Sequence, residues 1–126
     1  MRTRSARTTT TPDAALRMLG LAERAGMVIP GTGRVREAVR EGRVRLVLLA
    51  SDASRNSRDK LEPLLRAVGL NYGVIADRAR LGAAVGRAPL SAVGITDAAM
   101  ARRIGELARP RADAGESMDV PRSDER

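Results

Sequence analysis

An α/β fold, a single-domain three-layer α-β-α sandwich around a four-stranded mixed sheet, is what this sequence predicts, on three observations. Short apolar, β-branched runs alternate with stretches of helical periodicity across residues 11–108, the pattern of a sheet covered by helices on both faces. One of those runs, Arg45 to Ala50, is valine and leucine from its second residue to its fifth, as expected of a strand buried on both sides. Glycines and capping residues punctuate the chain where helices should stop and start, and no internal repeat is visible.

Each element has its own signal. Residues 1–10 are rich in Arg, Thr and Ser without apolar period and read as a disordered basic arm. Thr11-Pro12-Asp13 then supplies an N-cap, a proline at the first helical position and an acid in the first turn. Ala15, Met18, Leu19 and Ala22 recur on one face and Gly26 stops the helix, which is predicted over about 13–25. Met27-Val28-Ile29-Pro30 is a brief strand halted by proline. In the next helix Val35, Ala38 and Val39 form the inward stripe, Arg36 and Arg40 share the opposite flank one turn apart, and Gly42 ends it.

After the central strand, Ser51-Asp52-Ala53-Ser54 caps a third helix with a core stripe of Leu61, Leu64, Leu65 and Val68, closed at Gly69. Pro63 lies inside that pattern, so the helix is expected to kink there or to begin nearer to it. Tyr72 to Ala76 is a third strand, Arg78 to Val85 a short helix ending at Gly86, and Ala92 to Thr96 a fourth strand. Asp97 caps a last helix through Ala98, Met100, Ile104 and Leu107. From Arg109 onward the sequence is aperiodic and rich in Pro, Asp, Glu, Ser and Arg, so 109–126 reads as a disordered tail behind the domain of residues 11–108.

The net charge is +8, from 23 basic and 15 acidic side chains. Residues 1–12 contribute +3, residues 13–107 contribute +6 and the last nineteen −1, so the positive field belongs to the domain and its arm. Such a field suits a polyanionic partner. Every basic residue but Lys60 is arginine, whose planar fork matches phosphate and base edges, although a GC-rich genome produces the same bias.

Absences narrow the function further. Without histidine or cysteine there is no zinc site, thiol nucleophile, Ser-His-Asp triad or disulfide scaffold, and no cofactor is expected. No apolar stretch approaches a membrane span, and the N-terminus has no signal-like hydrophobic segment, so the expectation is a cytoplasmic protein with no membrane partner. Tyr72 is the one aromatic residue, which removes the ring platforms on which many single-strand binders stack bases. A nucleic acid would have to be held by shape, phosphates and base edges.

The segment Gly31-Thr32-Gly33-Arg34-Val35-Arg36 is the strongest candidate for such a role. Its Gly-x-Gly resembles a dinucleotide-binding turn, but the third glycine position is Arg36 and no suitably spaced acid follows. What remains is a tight turn needing glycine, or a backbone that approaches a ligand closely at a helix N-terminus, where free amides and the helix dipole favour phosphate. Arg34, Arg36 and Arg40 would add charge, unless Arg34 pairs with Glu37 and the face is merely solvated. Asp52 and Asp97 each follow a strand and precede a helix; as N-caps they need no catalytic or magnesium role. No catalytic residue is assigned.

From about Ala14 to Leu107, the order of helix, Gly-Thr turn, helix, strand ending Leu-Val-Leu-Leu-Ala-Ser-Asp-Ala-Ser, helix, Leu-Gly-x-x-x-Gly helix and Val-Gly-Ile-Thr-Asp resembles the ribosomal protein L7Ae/L30e family. The likeness is greatest to its small bacterial YlxQ-type members. The resemblance implies an α-β-α sandwich without catalytic activity that binds internal loops of structured RNA, typically kink-turns. It also implies where the RNA site lies. Gly31 and Thr32 match the family's turn, Ala50, Ser51 and Asp52 the end of the central strand, and Arg87, Ala88, Pro89 and Leu90 the loop that covers an extruded nucleotide.

The sequence departs from kink-turn binders at one place. Where they carry an Asn-Glu pair that hydrogen-bonds sheared G·A bases, this chain has Gly33 and Arg34. Glycine has no side-chain donor, and arginine replaces an acceptor by a donor fork suited to phosphate or guanine O6 and N7. Each such base-edge contact is worth roughly 1–3 kcal/mol, so relaxed motif preference with retained, salt-dependent RNA affinity is expected.

The resulting expectation is an RNA-binding accessory of translation or ribosome assembly, a monomer whose partner is structured RNA, ribosomal RNA foremost, with ribosomal or transcription-translation proteins as further partners. The alternative is a protein-interaction module of the same fold that has lost specific RNA binding. A third reading, the substrate domain of an RNA methyltransferase, would need a separate catalytic subunit.

Overall fold

The structure, a computed structural model, describes residues 3–108, with side chains from Asp13 to Ala108. Strand β2 (Leu46–Ala50) is buried along its whole length and divides the core in two. Because successive side chains of a strand point to opposite faces, Leu46, Leu48 and Ala50 enter one apolar cluster and Val47 and Leu49 the other. This is the two-sided burial that its unbroken run of aliphatic residues predicts.

Strands β1 (Val28–Pro30), β2, β3 (Tyr72–Ala76) and β4 (Ala92–Ile95) form one sheet in the order β1-β4-β2-β3. β4 runs antiparallel to both its neighbours, and β2 and β3 are parallel with an irregularity between Leu49 and Ala50. The sheet is therefore mixed, and only β2 and β3 close a βαβ unit. Strands β1, β2 and β3 point the same way while β4 points back between them.

Helices α1 (Thr3–Arg24), α4 (Arg78–Ala84) and α5 (Ala98–Ala108) cover one face, contributing Leu19, Leu81 and Ile104 to its cluster. Helices α2 (Thr32–Arg40) and α3 (Arg55–Val68) cover the other, where Val35, Ala38, Val39, Leu61 and Leu65 are buried. Gly94 belongs to this second face: a Cβ there would stand 3.3 Å from both Val44 methyls, so its lack of a side chain makes room for Val44.

Four expectations need correction. α1 begins at Thr3, not near Asp13, so Pro12 lies inside the helix. Of the two expectations for Pro63, a later helix start is overturned, since α3 starts at Arg55. Val68 is 53% exposed and not part of the core stripe, because it lies in the last turn of α3, beyond the buried Leu65. Ser54, not Asp52, caps α3, its hydroxyl accepting from the Ser57 amide at 3.1 Å. The expected tail, 109–126, lies outside the described residues.

Candidate nucleic-acid interface

Since β1, β2 and β3 run in one direction, the helices that follow them all begin at one edge of the sheet. The N-termini of α2, α3 and α4 therefore converge there, each carrying the partial positive charge of a helix start. The entry to β4 comes to the same edge, since that strand runs the opposite way. Three segments singled out in the sequence, 31–34, 50–52 and 87–90, meet at this edge.

Backbone hydrogen bonds hold them together. Gly31, at φ 97°, donates its amide to the Ala92 carbonyl at 2.9 Å and opens α2. That φ is why glycine is needed here. The Ala50 amide donates to Ser91 at 2.9 Å and the Ser51 amide to Ala76 at 2.7 Å. The 87–90 loop folds back on α4, with the Arg87 amide donating to Gly82 at 2.8 Å and the Leu90 amide to Arg78 at 3.1 Å.

The three helix starts are not equivalent. Ser54 caps α3, and Asp77 caps α4 by accepting from the Arg80 amide at 2.8 Å. Asp52 also serves α4: it accepts from the Arg78 amide at 2.7 Å, and its second oxygen lies 3.6 Å from Arg78 Nε. The start of α2 has no side-chain cap. The Thr32 hydroxyl turns away from it, donating to Ser57 Oγ at 2.9 Å and tying α2 to α3. So the amides at the start of α2 are left for an external acceptor.

Around this start Gly33, Arg34, Ser51, Asp52, Arg87, Ala88 and Pro89 are exposed, and Gly31, Thr32 and Arg36 half-buried. Arg34 and Glu37 form no ion pair within 4.0 Å; the ion pairs among the described residues are Arg43–Glu41, Arg58–Glu62, Arg78–Asp52 and Arg80–Asp13. The guanidiniums of Arg34, Arg36 and Arg87 are thus uncommitted among the described residues.

Not every predicted residue belongs to this surface. Ala50 is fully buried in the cluster with Leu48, because its side chain points into the sheet face covered by α1, α4 and α5; it contributes backbone only. Leu90 packs partly against the same cluster. Arg40 is exposed but ends α2, about 9 Å along the axis from Arg34 at 1.5 Å per residue, away from the edge. Asp97 caps α5, accepting from the Met100 amide at 2.8 Å, and lies at the opposite edge to Asp52, since β2 and β4 are antiparallel. The two carboxylates cannot act as a pair, and no metal-holding cluster exists among the described residues.

Sequence reasoning missed Ser57, Arg55 and Arg78. Ser57 is a buried hydroxyl that joins two helix starts, and Arg55 is an exposed cation at the beginning of α3. The signal for Arg55 was present: it follows a capping serine on the loop already selected. Nothing local distinguishes Ser57 from a solvated serine, because its partner Thr32 is 25 positions away.

The model of the ribosomal protein L7Ae/L30e/S12e/Gadd45 family matches residues 13–104. The chain belongs to this family. It is 34% identical over 90 residues to the RNA-binding protein YlxQ of Bacillus subtilis, covering 71% of this chain and 90% of that protein. A solved structure of a protein of unknown function from Bacillus halodurans is similar at a TM-score of 0.72, with 34% identity, over 75% of this chain and 95% of that one. The 15.5kD RNA binding protein of Giardia lamblia shares the fold at a TM-score of 0.66 and 20% identity, over 79% of this chain and 84% of its own. In this member of the L7Ae family, of the YlxQ type, Gly31 and Thr32 stand at the uncapped start of α2. Gly33 and Arg34 form that helix's exposed first turn.

Proposed function

We propose that this chain binds folded RNA without catalysing a reaction, through the sheet edge where α2, α3 and α4 begin. The observation that carries the reading is the uncapped start of α2, set among helix starts that side chains do cap, with Arg34, Arg36 and Arg87 uncommitted beside it. Phosphate accepts from the free amides, and the guanidiniums supply the screening-sensitive attraction. The similar protein YlxQ, described as RNA-binding, supports the same partner. The natural setting is translation or ribosome assembly in the cytoplasm, with ribosomal RNA as the ligand and the chain acting as a monomer.

Gly33 and Arg34 make kink-turn preference weak. Gly33 has open space around its missing Cβ and is not at positive φ, so an asparagine fits there without strain. The test is a filter-binding titration of the full chain against a kink-turn, a plain duplex and ribosomal RNA fragments at several salt concentrations. The expected result is salt-dependent binding to folded RNA with little kink-turn preference, and a gain of at least tenfold in that preference for Gly33→Asn with Arg34→Glu. Absence of salt-dependent binding to every one of these RNAs overturns the proposal.

A further inference from the structure

A second concave surface lies away from that edge. A groove of about 830 Å³ runs between α1, α4 and α5. Its floor is apolar, formed by Leu16, Met18 and Leu21 of α1, Ala83 and Ala84 of α4, and Leu107 of α5. Its rim is cationic, carrying Arg17 and Arg24 of α1, Arg80 of α4 and Arg103 of α5. Leu21 is 49% exposed between Arg17 and Arg24, on the face of α1 that those two share with it by helical spacing. Of the four guanidiniums only Arg80 has a carboxylate within 4.0 Å among the described residues, that of Asp13.

The chemistry of the groove selects against nucleic acid. A phosphodiester strand would meet the arginines but leave the aliphatic floor uncovered, and no ring is present there to stack a base. A peptide that interleaves carboxylates with aliphatic side chains matches both floor and rim. Such a segment stands in this chain. Asp113-Ala114-Gly115-Glu116-Ser117-Met118-Asp119-Val120 has three carboxylates, no basic residue, and Met118 and Val120 between and beside the acids.

Its position in the chain suits the groove as well. The described residues end at Ala108, one residue past Leu107 on the groove floor. At about 3.3 Å per residue the linking residues 109–112 reach ~13 Å, and the eight that follow span up to ~26 Å. The groove along α1, from Ala14 to Arg24, is ~15 Å at 1.5 Å per residue. The segment also lies beyond the family match, which ends at residue 104.

We infer that Asp113–Val120 docks in this groove within the same chain, its carboxylates on Arg17, Arg24 and Arg103 and its Met118 or Val120 over Leu21. The sequence contains no cysteine, so Ser117→Cys in the full chain takes a single nitroxide label. The expected result is paramagnetic broadening of the Leu21, Arg24, Ala84 and Leu107 amides that persists on dilution. It should be relieved when Asp113→Asn, Glu116→Gln and Asp119→Asn are made together, substitutions outside the described domain. The inference is overturned by no broadening in the groove, by broadening centred on Gly33 and Arg34, or by broadening that disappears on dilution and so reports contact between copies. Shifts of the groove amides on adding an RNA duplex, without broadening from the tail, likewise assign the groove to nucleic acid and overturn it.

Discussion

Gly82 is where a single missing side chain matters most. Glycine inside a helix normally costs about 1 kcal/mol relative to alanine, yet a Cβ at Gly82 would lie 2.1 Å from the Ala88 carbonyl oxygen and 2.9 Å from that of Arg87. Those are backbone atoms of a loop that returns to Gly82 and Arg78 through its own hydrogen bonds, so they cannot rotate away. Gly82→Ala is therefore expected to destabilise by about 1–3 kcal/mol in spite of its better helix propensity, read as a lower urea midpoint at unchanged slope. At Gly94 the nearest atoms are the Val44 methyls at 3.3 Å, a contact that needs a shift of only a few tenths of an ångström, so Gly94→Ala should cost less. Equal costs at the two positions would show that backbone proximity is not what decides. In the sequence Gly82 stands out only as part of the Leu-Gly-x-x-x-Gly pattern, which does not say what the glycine meets. What makes it special is a loop six residues later folding back, a contact that no periodicity reports. The side chain of Ala50 turns away from the edge for a related reason: its place at a strand end is readable in the sequence, but not the face to which the strand turns it.

At the scale of elements, α3 separates what helical period can tell from what it cannot. Period places Leu61, Leu64, Leu65 and Val68 on one stripe, but burial depends on how much lies beneath, and Val68 is left 53% exposed. Leu65→Ala is expected to cost about 2–5 kcal/mol by leaving a core cavity, whereas Val68→Lys should stay within about 0.5 kcal/mol, both measured by urea unfolding. The start of α3 is tied into a hydroxyl cluster in which Ser57 Oγ accepts from Thr32 and from Ser54, while Ser54 Oγ accepts the Ser57 amide. Ser54→Ala removes the cap and should cost about 1 kcal/mol. Thr32→Val should cost a similar amount, because a buried hydroxyl loses a donor. Since both substitutions act through Ser57, the double variant should cost measurably less or more than the sum. Strict additivity would mean that the cluster does not couple the two helices. The existence of α2, α3 and their central strand was legible from caps and apolar runs, because those signals are local; the cluster was not, because it joins residues far apart in sequence.

For the molecule as a whole, the alternation of strands and helices correctly indicated the layers, but not the direction of β4, which is set by pairing with β1 and β2 across long stretches of chain. That direction sends Asp97 to one edge and gathers 31–34, 50–52 and 87–90, the segments of the proposed RNA surface, at the other. It also makes the location of charge testable apart from its amount. Arg34, Arg36 and Arg87 belong to the edge with the uncapped helix. Arg45 precedes β2 and Arg66 lies in the last turn of α3, so both are at the opposite edge, and Arg102 lines a cleft with Arg45. Replacing either trio by glutamine removes the same net charge. If RNA phosphates are neutralised at the α2 edge, the first triple variant should reduce the slope of log affinity against log salt by about 2–3 units, since each phosphate contact contributes roughly 0.7–0.9. The second should leave the slope within about half a unit of the parent. Equal reductions in the two variants would mean that RNA responds to the protein's overall field rather than to a defined face, because long-range attraction depends on summed charge whereas counterion release depends on which phosphates are touched.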